Sequence, residues 1–260
     1  VRLDLATVLL QWAAGGLAFS WVTSRRRIVG EGYGWLLRSI YGAVAVGGVA
    51  AAIVADDTGV AAKVRVVAGM VMAVAALATL AVSVLWRLVG DSVPREYPPA
   101  LDLLAPGAGL VAVVGAGVLV GGDDALGVIR LAVGATFLGC ITDAMLLGHW
   151  YLVQPGLSRD PIKELVRWGL WITPLQILVM LVPSPGMIDV LTGRIDDGWG
   201  GLIGWMWVVA AISTLGLLLA SRAALREPYY SAVMATTGLL YLAILTAFGT
   251  DVMARAVLAP

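Results

Sequence analysis

The sequence predicts an all-α, polytopic membrane protein with about eight transmembrane helices, arranged as two four-helix halves in the same orientation. Three observations predict this: an apolar composition, apolar runs of bilayer length, and similarity between the two halves. Residues of the set AVILMFWYC make up 60% of the 260, alongside 32 glycines, while charged residues supply 13%. Soluble domains hold roughly 25% charged residues, and a fold this apolar has too little polar surface to face water. A bilayer core about 30 Å thick needs about 20 helical residues per crossing. Eight crossings then consume most of the chain and leave only short connections.

The candidate spans, in order, are Leu3–Val22, Gly34–Ala55, Val66–Trp86, Leu103–Val120, Val128–Val153, Leu165–Val182, Leu202–Ala220 and Tyr229–Phe248. In the first, the run from Leu5 to Val22 is long enough to span and is followed by Arg25-Arg26-Arg27. A cleavable signal peptide carries its positive charge ahead of its apolar run, so this order reads as a retained helix with its N-terminus outside. Glycine, proline and aspartate clusters such as Gly121-Gly122-Asp123-Asp124 and Pro183-Ser184-Pro185-Gly186 mark turns between later spans. The longest connection, Pro183 to Gly201, has room for one brief surface helix. Eleven of the basic residues fall on the side of the first, third, fifth and seventh connections and six on the other. The positive-inside rule then places both termini outside, with a bacterial plasma membrane as the expected location.

Several pairs of positions in the two halves match. Arg2-Leu3-Asp4-Leu5 resembles Arg130-Leu131-Ala132-Val133, Trp21 matches Trp150, and Leu36-Leu37-Arg38 matches Leu165-Val166-Arg167. Thr58-Gly59 resembles Thr192-Gly193, and Arg95-Glu96-Tyr97-Pro98 resembles Arg226-Glu227-Pro228-Tyr229. The matches fall in order near half the chain length. They predict halves at 1–125 and 126–260, related by an axis along the membrane normal, with any site near their interface.

Charge and cysteine usage exclude several classes. Basic and acidic residues number 17 each, so no nucleic-acid footprint is present. Cys140 is the only cysteine, which excludes an internal disulfide and a cysteine-rich metal site. His149 is the only histidine, which excludes a bis-histidine haem but leaves ligation of a single pigment, or a hydrogen bond to a quinone carbonyl.

The fifth span carries the chemistry. It holds Arg130, Thr136, Cys140, Thr142, Asp143 and His149 in one apolar run. A charged carboxylate near the bilayer centre costs at least ~2.5–3.5 kcal/mol, so Asp143 must pair, titrate or face water, and is a functional candidate by default. At 100° per residue, Thr136, Asp143 and Trp150 share a stripe. His149, Trp150 and Tyr151 sit near the inner interface, where aromatic residues also serve as plain anchors. Pro174 predicts a kink in the sixth span, with Gln176 beside it as a cavity candidate. Arg38 and Arg167 are expected to snorkel to the inner interface. Trp171 and Trp207 are deep enough to touch lipid tails or a flat ligand. Glycines in the second and fourth spans, among them Gly48, Gly109 and Gly117, suit close helix packing.

No P-loop, dinucleotide fingerprint, paired-histidine zinc motif or nucleophile elbow occurs. The leading expectation is therefore a membrane subunit of a larger bacterial electron-transfer complex, respiratory or photosynthetic, that is quinone-linked or purely scaffolding. Its partners are then the lipid bilayer and other membrane subunits. The outline is similar to haem-free quinone-binding anchors of polysulfide-reductase type, an analogy of architecture without a shared motif. Two alternatives stand beside it: a proton-coupled small-solute permease, which should have a water-filled path from both sides and more polar residues in several helices than this chain shows, and a membrane enzyme acting on a lipid-soluble substrate.

Overall fold

A computed structural model of the protein describes residues 4–89, 97–121, 125–182 and 185–258. Arg2, Leu3, Arg95-Glu96, Gly122-Asp123-Asp124 and Pro183-Ser184, all used in the sequence expectations, lie outside the described residues. The described residues form helices and connections, with no strand. In order these are α1 (Leu5–Ser24), α2 (Glu31–Val54), α3 (Val60–Val89), a 3-10 turn (Pro99–Leu103), α4 (Leu104–Gly121), α5 (Ala125–Val153), α6 (Asp160–Leu181), α7 (Met187–Leu191), α8 (Leu202–Ala224) and α9 (Tyr230–Val257). Eight of them are long and apolar enough to cross a membrane. The short α7 occupies the longest connection.

Several helices outrun their expected ends because charged residues are satisfied without leaving the helix. α9 continues past Phe248 because Asp251 and Arg255, four residues apart, pair along one face. α3 starts at Val60 because Arg65 reaches back to Asp4 and Asp57. α6 starts at Asp160, with proline in its first turn, where an absent N–H costs no hydrogen bond. At its other end the Arg130 Nε donates to the Val179 carbonyl at 3.0 Å.

In the first half α1 packs on α2, α2 on α3, α3 on α4, and α4 returns to α1. In the second half α5, α6, α8 and α9 close a ring in the same order. This order is what consecutive antiparallel helices with short connections adopt. It supports two four-helix groups and leaves common descent untouched. The groups meet where α5 lies against α1 and α4.

Contacts between connections define the two ends of the bundle. Arg25 pairs with Glu164, the Gly30 N–H donates to Gln154, Ser24 reaches Asp102, and Arg159 donates to the carbonyls of Glu227 and Pro228. The connections after α1, α3, α5 and α8 therefore share one end, hereafter the arginine-rich end. At the opposite end Arg65 binds Asp4 and Asp57, and α4 abuts α5 where Gly117 meets Val128. Each half thus crosses four times and starts from the same end.

At that opposite end Asp197 organises the entry to α8. Gly198, Gly200 and Gly201 all adopt positive φ, which glycine alone tolerates readily, and so turn successive N–H groups inward. The Asp197 carboxylate accepts from the N–H groups of Gly201, Trp199 and Ile203 at 2.8, 2.9 and 2.9 Å. The Gly201 bond, followed by the others, holds its pKa below the ordinary aspartate value.

Two expected positions differ. Arg38 does not snorkel: it is buried in a two-pronged pair with Asp102, Nε and Nη2 lying 2.8 and 2.7 Å from the carboxylate, with Tyr97 stacked on the guanidinium. An arginine within reach of a buried carboxylate gains more there than in water. Arg167 is exposed as expected. Trp207 is buried in a cluster with Met180, Met187 and Val190 and does not reach lipid, whereas Trp171 is 75% exposed. On α3, Val67, Val71, Val74 and Leu77 form an exposed apolar row, a surface suited to acyl chains and not to water.

Candidate functional site

The seam between the halves is built on a backbone contact. A methyl group on Gly15 would overlap the Ala135 carbonyl, and one on Gly139 would overlap the backbone of Gly15 and Gly16. Glycine at both positions lets α1 and α5 touch without intervening side chains. Helices this close bring their flanking polar groups within bonding distance. Trp12 Nε1 donates to Thr142 Oγ1 at 3.0 Å across the crossing. Gly16 likewise makes room for the ring of Tyr41 from α2.

Asp143 lies beside this crossing and is fully buried. Tyr41 donates its hydroxyl to Asp143 Oδ1 at 2.5 Å, while Oδ2 has no hydrogen-bond partner. Tyr33, two turns before Tyr41 on α2, donates to the Asp143 backbone carbonyl at 3.1 Å. The Tyr33 ring also packs against Trp150, with centroids 5.7 Å apart. Four aspartates are buried among the described residues: Asp102, Asp143, Asp189 and Asp251. Three have an arginine, namely Arg38, Arg194 and Arg255 respectively; Asp143 has none.

Tyr33 links this site to the arginine-rich end. It lines a cavity of about 250 Å³ together with Ser24, Glu31, Arg38, Tyr97 and Asp102. Tyr97 donates to Asp102 at 3.1 Å, and burial, reinforced by the Asp102 charge, raises its pKa well above that of an ordinary phenol.

A second buried cluster occupies the same seam nearer the opposite end. Asp251 receives Arg255 Nε at 2.7 Å, Gln176 Nε2 at 3.3 Å and Gln11 Nε2 at 3.4 Å. Arg255 also donates to the Gln11 carbonyl oxygen. Gly134 on α5 leaves the space, since a methyl there would lie 2.5 Å from the Gln11 amide. One nitrogen of Arg255 and the Gln176 oxygen remain without partners. The cluster joins α1, α6 and α9, and so ties the first half to the second.

The expected site residues do not converge. Asp143 is central, and Trp150 reaches it through Tyr33. Thr136 is exposed and donates to its own helix at Val133, so the predicted stripe splits between interior and surface. His149 is exposed, its ring 5.5 Å from that of Tyr241. Tyr151 is buried and donates to the Ser158 carbonyl at 2.6 Å, fastening the α5–α6 connection. Pro174 is exposed, whereas Gln176 is buried in the second cluster.

Sequence reasoning missed Tyr33, Tyr41, Gln11, Asp251 and Arg255. The i,i+8 spacing of the tyrosines and the i,i+4 spacing of Asp251 and Arg255 were the available signals. Among the described residues no three His, Cys, Asp or Glu side chains gather as a metal site. No family model matches the chain, and no curated protein or solved structure proves similar to it.

Proposed function

We propose that this protein is a proton-coupled permease for a small solute, with Asp143 as the group that takes up and releases the proton. The observation that carries the reading is the solitary state of Asp143: among the described residues it is the buried aspartate without an arginine. An ionised carboxylate sealed in a bundle needs a compensating charge or several donors. Tyr41 supplies one donor to Oδ1, and Oδ2 is left for a proton, a water or a group on the solute. Buried polar side chains on α1, α2, α5, α6 and α9 support this reading, since a permease needs polar groups in several helices.

In this reading Tyr33 and its cavity form the approach from the arginine-rich end, which faces the cytoplasm of a bacterial cell. Asp251 stays matched to Arg255 throughout and holds the halves together. Repeat-built transporters commonly place such sites at the interface of their halves.

The test is a pH titration of the lipid-reconstituted protein by infrared difference spectroscopy. A carboxylic-acid carbonyl band should appear and vanish with pH, and Asp143→Asn should remove it while leaving helicity unchanged. In proteoliposomes loaded with a pH dye, pools of amino acids, sugars and organic acids should include one that drives proton uptake in the parent and not in Asp143→Asn. Asp143→Leu should instead destabilise by about 1–3 kcal/mol, because the Tyr41 hydroxyl loses its partner. A spectrum with no pH-sensitive carboxyl band assigned to Asp143 would refute the proposal.

A second reading retains a quinone-linked subunit of an electron-transfer assembly. It is favoured by the exposure of His149 beside Tyr241, which a lipid-soluble headgroup can reach from the bilayer. Quinone retained by the purified protein and lost in His149→Ala would select it.

A further inference from the structure

At the arginine-rich end, the start of α6 and the end of α8 enclose a second cavity of about 250 Å³. Its walls are Lys163, Arg167, Arg222 and Arg226, and its floor is Val166 and Leu225. The four cations are exposed, and the two floor residues are buried. Among the described residues no carboxylate pairs with any of the four: nearby Glu164 is held by Arg25 and Arg26, and Asp160 accepts from Ser158. Lys163 and Arg167 are four residues apart on α6, a like-charge pair that a helix ordinarily avoids. Arg222 lies in the last turn of α8 and Arg226 just beyond its end. Four unpaired cations facing a common space repel one another unless an anion occupies it.

We infer that this cavity binds the phosphate of an anionic phospholipid headgroup, in the leaflet that meets the arginine-rich end. The shared chemistry is a phosphate ester, which arginine side chains chelate through paired N–H groups. The position favours a lipid over a free anion. The site lies where two membrane-spanning helices reach the interface, and its floor is apolar. A volume of about 250 Å³ falls below the ~300–1,000 Å³ of small-molecule sites, so it takes a headgroup while the tails remain outside. Basic pockets between transmembrane helices recognise phosphorylated headgroups by this combination. The inference is independent of the role given to Asp143.

The experiment is native mass spectrometry of the full chain released from nanodiscs made of equal parts cardiolipin, phosphatidylglycerol and phosphatidylcholine. The parent should retain anionic lipid in preference to phosphatidylcholine. Arg167→Gln combined with Arg226→Gln should reduce that retention about tenfold or more, since each removes charge-assisted hydrogen bonds to the phosphate beyond its general surface charge. Helicity and thermal unfolding should be unchanged, because both side chains are exposed and unpaired. A control, Arg26→Gln with Arg87→Gln, removes equal charge at the same end, leaves Arg25 on Glu164 and should lower retention several-fold less than the pocket variant. Equal loss in the control would reduce the effect to general surface charge and overturn the site. Equal retention of phosphatidylcholine, or unchanged retention in the pocket variant, would overturn it as well. Calorimetry with inorganic phosphate and pyrophosphate in neutral detergent supplies the last arm: binding of these without retained lipid would assign the cavity to a soluble anion and reject the lipid.

Discussion

At the scale of single residues, the buried charges divide by partner. Asp251 and Arg255 are both fully buried and mutually bonded, with two glutamines donating to the carboxylate. Removing one member leaves an uncompensated charge, which typically costs about 3–5 kcal/mol. Arg255→Met is therefore expected to lower the unfolding temperature sharply. Adding Asp251→Leu to it should recover most of the loss, because the stranded carboxylate goes too. Thermal unfolding of the two single variants and the double in detergent checks this; a double variant as unstable as the sum of the singles would rule out direct pairing. Asp143 was legible as a candidate because it stands alone in mid-span, whereas Asp251 and Arg255 sit near a helix end, where charges ordinarily belong to a loop. Nothing in the local sequence announces that Tyr41, about a hundred positions earlier, supplies the hydroxyl that Asp143 receives.

At the scale of elements, the decisive contact is the crossing of α1 and α5. Its closeness rests on Gly15 and Gly139, each with no space for a side-chain carbon. Gly139→Leu should separate the helices, break the Trp12–Thr142 hydrogen bond and cost more than the ~1–3 kcal/mol of ordinary core overpacking, because the obstruction is backbone. Gly107→Ala on α4 is the counterpart control. It faces open space and should be neutral or slightly stabilising, as alanine favours helix. Yield of monodisperse protein and its melting temperature distinguish the two, and a well-assembled Gly139→Leu would remove the crossing from the argument. Helix number was legible because each span satisfies its own backbone. Helix ends were less so: α9 outran its expected limit once Asp251 and Arg255 could neutralise one another.

At the scale of the whole molecule, two rings of four helices share one seam, and their connections sort onto two ends. With Cys140 replaced, single cysteines at Ser158 and Ala223, exposed at the arginine-rich end, should be protected from an impermeant thiol reagent in intact cells. Cysteines at Thr58 and Thr192, exposed at the opposite end, should react. The reverse pattern would turn the molecule over in the membrane, and disagreement between two positions of one end would break the eight-crossing topology. The two halves are proposed as copies of one four-helix unit. Gly59 and Gly193, matched in sequence, both adopt positive φ in corresponding connections. Arg38 and Arg167, also matched in sequence, differ in setting: one is buried against Asp102 and the other lines the cationic cavity.

The sequence alone determined the solvent of this protein and the number of its crossings. Transfer of each apolar run into a bilayer depends on that run's own length and composition, and every crossing must close its backbone hydrogen bonds within itself. Tertiary structure alone decided which side of each helix meets another helix. Lipid tails and a protein interior are both apolar, so hydrophobic periodicity, which separates core from surface in water, gives no such contrast in a membrane. That is why Thr136 and Asp143, one stripe by arithmetic, ended on opposite sides of the surface, and why the partners of Asp143 and Asp251 emerged only when helices distant in sequence came into contact.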